Sequence, residues 1–169
     1  TEQQRAEEQQ RREKLADLIQ RLQDLTARQE GLAQRSQRVL RRQPVPSGED
    51  ANLPETESRL SPQQLSRVAP PLATEQQAVR EGTESVLEHV KSQRDALREM
   101  LTRAYGDIGR LPATEMDPAV GLLVETVGAQ EKAMANLDPG AINLPRANTA
   151  LHTAAGRMQQ ALDALRALQ

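Results

Sequence analysis

Leu15, Leu18, Leu22, Leu25, Gln29, Leu32, Ser36 and Val39 are spaced alternately three and four residues apart, and this run constrains the fold more than any other feature. Such spacing holds one narrow stripe on one side of an α-helix and turns it toward a partner helix. A half-buried strand would instead alternate at every second residue, and no alternating β-branched run of useful length occurs in the chain. The pattern predicts a helix from about residue 2 to residue 42. Its opening stretch, TEQQRAEEQQRREK, keeps helical composition without an apolar seam. Those residues therefore project into solvent or meet another surface. The chain opens and closes inside helical patterns, so it reads as a piece of something longer.

Composition narrows the fold class. Among 169 residues there is no Trp, no Phe and one Tyr, Tyr105. Aromatic side chains supply large apolar area per residue, so a core built without them relies on Leu, Val, Ala and Met. Such a core is thin and suits helices meeting along seams better than layers on a sheet. Lys and Arg number 22 against 24 Asp and Glu. That balance gives no general attraction for nucleic acid or anionic lipid. Cysteine is absent, which excludes disulfides, thiolate nucleophiles and thiolate metal sites. No apolar run reaches the roughly 18 residues of a membrane span.

Four segments follow. Residues 1–43 form the long amphipathic helix with its polar extension. Residues 44–60 read as a flexible loop, rich in Pro and acidic residues. Residues 61–105 form a second long helix. Ser61, Pro62 and Gln64 give it an N-cap, a first-turn proline and a capping box, with Leu60 and Leu65 at the staple positions. Pro70-Pro71 predicts a kink or a restart, with Thr74 and Gln77 offering a second capping box. Its seam is Val79, Thr83, Val86, Val90, Leu97, Leu101 and Ala104. Residues 106–169 complete the set as a helical hairpin, with Ile108 and Leu111 packed in its leading turn. Its first helix opens with Asp117-Pro118 as cap and first turn and carries Val120, Leu123, Val124, Val127, Met134 and Leu137. Its second carries Ala147, Leu151, Ala154, Met158, Ala161, Leu162, Leu165 and Leu168. The fold predicted is all-α: an elongated antiparallel bundle with coiled-coil character and four main helices.

One internal likeness stands out. Sliding LTARQEGLAQRSQRVL by 47 positions lays it on LATEQQAVREGTESVL. Leu25 then falls on Leu72, Gln29 on Gln76, Leu32 on Val79, Ser36 on Thr83 and Val39 on Val86. Matching amphipathic helices by chance is one explanation. The other is that both long helices carry the same polar interruptions in their seams. A seam polar group lowers stability but fixes register, because misalignment leaves it unpaired. Gln29 and Gln76 are then expected to set how the long helices align. Replacing both with Leu would raise the melting temperature while loosening that alignment.

The repeated phrase, with Arg28-Gln29-Glu30-Gly31-Leu32-Ala33-Gln34-Arg35-Ser36 and Glu75 to Thr83 as its two copies, resembles a group of long, membrane-anchored, mostly helical bacterial envelope proteins that carry a domain of unknown function. Gly128 to Met134 is similar to their closing helices. The likeness covers about residues 15 to 169. It implies an extracytoplasmic helical segment, periplasmic or membrane-associated, without catalytic residues.

Side chains that carry chemistry are sparse. A di-iron bundle needs Glu-x-x-His on inward faces, and the residues three before His89 and His152 are Val86 and Thr149. Glu84, Glu88 and Glu99 have basic neighbours at helical spacing, as on a solvated, ion-paired face. No phosphate-binding Gly loop, nucleophile elbow or Ser/His/Asp set occurs. Gly31, Gly82, Gly121, Gly128 and Gly156 fall inside predicted helices, read as close packing or local mobility. Arg35, Arg38, Arg41 and Arg42 cluster where the first helix ends, which suits the helix C-terminus or an acidic docking partner. Without aromatics there is no platform for stacked bases.

These features predict a non-enzymatic structural or adaptor segment. It would use no metal and no cofactor, bind no nucleic acid, and contact protein partners or further copies of itself. A lipid-handling amphipathic bundle is the alternative.

Overall fold

The computed structural model describes residues 1–41, 60–106 and 113–169. Arg42, the 44–60 loop apart from Leu60, and the turn residues Ile108 and Leu111 lie outside them. The described residues form four helices and no strand: α1 (Glu2–Arg41), α2 (Pro62–Tyr105), α3 (Asp117–Ala135) and α4 (Leu144–Arg166). At about 1.5 Å per residue, α1 and α2 run about 60 Å and 66 Å, and α3 and α4 about half as far.

The packed pairs are α1 with α2, α2 with α3, α3 with α4, and α4 with α1. Their contacts fix the sense of each pair. Along α1, Gln29 meets the carbonyl of Leu151 and Ser36 meets Asn148, so α4 runs against α1. Gln130 meets Thr83 while Asp117 meets Arg98, so α3 runs against α2. The result is an up-down-up-down bundle. Its core is aliphatic: Leu22, Leu32, Val79, Leu123, Leu151, Met158 and Leu165 are fully buried. The only aromatic residue, Tyr105, is 80% exposed.

Local chemistry explains the helix starts. The Ser61 side chain accepts from Gln64 N at 3.2 Å, and Gln64 Oε1 accepts from Ser61 N at 3.0 Å. Leu60 and Leu65 pack against the core edge beside this box. Asn143 caps α4 by accepting from Arg146 N at 3.1 Å. The capping role expected of Asp117 is not realised. Asp117 is the first residue of α3 itself, behind Met116, whose side chain makes no cap bond. Its carboxylate accepts instead from Thr114 N at 2.7 Å and from Arg98 Nη2 at 2.9 Å.

Of the kink or restart expected at Pro70-Pro71, the restart does not occur; α2 is one helix through both prolines. The second capping box is correspondingly absent, and Gln77 donates to Glu81 within the helix. Each proline removes the donor for a carbonyl one turn back. Both prolines are exposed, as are Ser66 and Arg67, which carry those carbonyls, so water reaches the released groups. Ala69 and Leu72, on either side of the prolines, are buried and tie both halves to the core.

Two predicted seam positions also face outward. Ala104 is exposed, and Val124 is 50% exposed. On α3 the buried stripe is Ala119, Leu123, Thr126, Gln130, Ala133 and, beyond the helix end, Leu137. It keeps the alternating three-and-four spacing, which carries Val124 round to solvent.

Candidate functional site

Midway along the bundle, three carboxamides meet where aliphatic side chains would be expected. Gln29, Gln76 and Gln130 are all fully buried. Gln29 Nε2 donates to Gln76 Oε1 at 2.8 Å, and Gln76 Nε2 donates to Gln29 Oε1 at 2.9 Å. Gln130 Nε2, arriving from α3, donates to Gln29 Oε1 at 3.1 Å and to Thr83 Oγ1 at 3.0 Å. Thr83 passes its own proton back to Val79 O at 2.8 Å. Gln29 Nε2 also approaches Leu151 O on α4 at 3.5 Å. Gln29 is thus the hub, touching three other helices. Gln130 Oε1 is left buried without a hydrogen-bond partner.

This geometry accounts for the 47-residue repeat. Because α1 and α2 are antiparallel, matched residues do not lie side by side as a set. They meet at the reciprocal Gln29–Gln76 pair and diverge in opposite directions from it. Ser36 lies two turns beyond Gln29 and Thr83 two turns beyond Gln76, so the two hydroxyls flank the pair on opposite sides. Each meets a carboxamide on the short helix beside it: Ser36 with Asn148 on α4, Thr83 with Gln130 on α3. Ser36 Oγ lies 2.5 Å from Asn148 Oδ1 and 2.9 Å from Ala33 O. Its single proton serves one of these at a time.

Gln29, Gln76, Ser36 and Thr83 were thus legible as seam positions, whereas Gln130 was not. The signal for it was present. Leu123, Thr126, Gln130, Ala133 and Leu137 keep the seam spacing. Of the apolar set expected beside it, Val120 is buried and Val127 packs against the core, while Val124 faces outward. Apart from Ala104, the remaining seam residues of α1 and α2 are buried or partly buried. Leu18, Leu22, Leu25, Leu32, Leu72, Val79 and Val86 are buried, and Leu15 and Val39 are partly buried against the core.

Three arginines of the predicted cluster, Arg35, Arg38 and Arg41, are among the described residues and exposed. Arg35 pairs with Glu75 of α2, an ion pair between the two long helices. Arg38 and Arg41 border a shallow depression of about 230 Å³ with Gln34 and Gln37. Larger hollows lie elsewhere. A cleft of about 800 Å³ at the base of the bundle has one wall from Glu8 to Ala16 of α1, with Gln93, Met116 and Leu168 opposite. A groove of about 960 Å³ runs along the outer side of α3 and α4.

Among the described residues no group of three or more His, Asp or Glu side chains is placed to hold a metal ion. His89 and His152 are exposed on different helices, and His89 Nδ1 lies 2.7 Å from Ser85 O. No helix among the described residues is long and apolar enough to cross a membrane.

Fold and polar layer together define an antiparallel four-helix bundle with a carboxamide cluster at its centre. No family model, curated protein or solved structure matches the chain.

Proposed function

We propose that this chain is a non-enzymatic structural or adaptor segment that joins protein partners in a larger assembly, with the bacterial envelope as its setting by the resemblance of its repeated phrase. The observation that carries the reading is the amino-terminal third of α1. Residues 1–14 are all exposed, the later ones bordering the cleft with Gln93, Met116 and Leu168, and α1 runs without a break from Glu2. They are held by local pairs such as Arg12 with Glu8 at 2.8 Å and Gln9 with Glu13 at 3.2 Å. An isolated helix of that length is marginal in water. A helix continued about 20 Å past its last core residue is a natural arm for contact. The central glutamine layer supports the same reading, because it fixes the alignment of the helices that present this arm.

The test is photo-crosslinking from Gln4 and Gln9 in the cells that make the protein, with exposed His152 on α4 as the control position. Discrete protein adducts from the arm, absent from the control, support the reading. Adducts of equal yield from all three positions refute it. Flotation of the purified chain with neutral lipid vesicles would transfer the assignment to a lipid-handling bundle.

A further inference from the structure

The groove on the outer side of α3 and α4 is separate from both the glutamine layer and the arm of α1. Its walls are two facing stripes. Glu125, Gly128 and Lys132 recur on α3, and Arg146, Thr153 and Arg157 on α4. Glu125 Oε2 pairs with Arg157 Nε at 3.2 Å and closes one end. At the other end Lys132 and Arg146 are exposed and make no ion pair with any described residue. Three cations against one carboxylate leave the groove electropositive, on a chain whose net charge is −2.

The floor contains a glycine that the fold does not need. Glycine weakens a helix interior relative to alanine. At Gly82 there is an internal reason, since a Cβ there would fall 2.6 Å from Leu25 Cδ2. At Gly128 a Cβ would meet nothing within 4 Å, and the same holds at Gly121, two turns earlier on α3, and at Gly156 on α4. Of these three, Gly128 lines the groove and leaves room there for another backbone to come close. The groove spans Glu125 to Asn136 on α3, about 16 Å, or three helical turns. A trough of that length between two helix crests matches the shape of a third helix.

We propose that this groove receives an acidic amphipathic α-helix from a partner protein, with its acidic end against Lys132 and Arg146 and its small-residue face over Gly128. The inference does not depend on the arm of α1 and stands if residues 1–14 contact nothing.

The probe is a helix-stapled 18-residue peptide with Ala and Leu along one face and four Glu in its first two turns. A matched control carries Lys in place of Glu. Binding to the full chain is followed by fluorescence anisotropy and by amide chemical shifts. The acidic peptide is expected to bind at least tenfold more tightly than the Lys control, with shifts confined to residues 125–136 and 143–157. K132E/R146E is expected to weaken it at least tenfold, and so is Gly128→Leu, whose Cβ meets nothing within 4 Å. Equal affinity for both peptides, shifts elsewhere, or unchanged binding to both variants would overturn the proposal. So would a self-associated chain in sedimentation velocity whose dissociation is required for peptide binding, because the occupant would then be a second copy.

Discussion

Replacing Gln29 with Leu tests whether the central layer acts as one network with Gln29 at its hub. The substitution keeps side-chain volume close to that of Gln and removes every hydrogen bond of that amide. Gln76, fully buried, would lose its donor and its acceptor together. Gln130 would keep Thr83 and the weaker contact of its Nε2 with Met158 Sδ at 3.9 Å. A buried polar group left unsatisfied costs about 1–3 kcal/mol, so two stranded atoms on Gln76 predict a loss of about 2–4 kcal/mol. For a chain of this length that lowers the melting temperature by about 5–15 °C. Gln130→Leu should behave differently. It leaves the Gln29–Gln76 pair intact, leaves Thr83 bonded to Val79, and removes the unpartnered Gln130 Oε1. Its effect should stay within about 1 kcal/mol. The double variant Gln29→Leu/Gln76→Leu, and the triple with Gln130→Leu, exchange the network for aliphatic packing. Both should melt above the Gln29→Leu single and at or above the parent. Differential scanning calorimetry with urea unfolding gives all four values. A Gln29→Leu variant as stable as the parent, or a triple variant less stable than that single, would refute the network argument.

Other outcomes follow from the same geometry. Gly82→Ala must displace the terminal methyl of Leu25, which offsets its helix-propensity gain and leaves stability within about 1 kcal/mol, whereas Gly121→Ala and Gly128→Ala should each raise stability by about 0.5–1 kcal/mol, all read by thermal melts. Leu22→Ala, at a fully buried site, should cost about 2–5 kcal/mol in urea unfolding. Ser61→Ala breaks the capping box and should cost about 1 kcal/mol, with amide exchange accelerated first near residues 62–66. Removing residues 1–14, all exposed, should leave the melting temperature within about 2 °C.

Much of the fold was legible because its signals are local. The seam spacing of α1, the Ser61–Gln64 box and the aliphatic run of α4 depend only on neighbours along the chain, and each lies where the sequence put it. The misplaced features depended on what lies opposite. Val124 is apolar but turns outward, since the face of α3 that meets the other helices is the one bearing Thr126 and Gln130. Pro70 and Pro71 predict a break by local rules, yet Ala69 and Leu72 anchor the helix on both sides of them while water reaches the freed carbonyls. Asp117 reads as a cap, but Arg98 on the neighbouring helix holds its carboxylate.

The repeat shows the division most clearly. By itself the sequence determined that two helices carry the same order of leucine, glutamine and hydroxyl, because helical periodicity is written into residue spacing. What those copies meet depended on the packed state. The bundle adopts the antiparallel arrangement that the sequence predicts. The tertiary structure closed Gln29 on Gln76 and sent Ser36 and Thr83 to carboxamides on different helices. It brought in Gln130 from a third helix, 101 residues along the chain from Gln29, because a buried amide has to find its partners wherever the packing provides them.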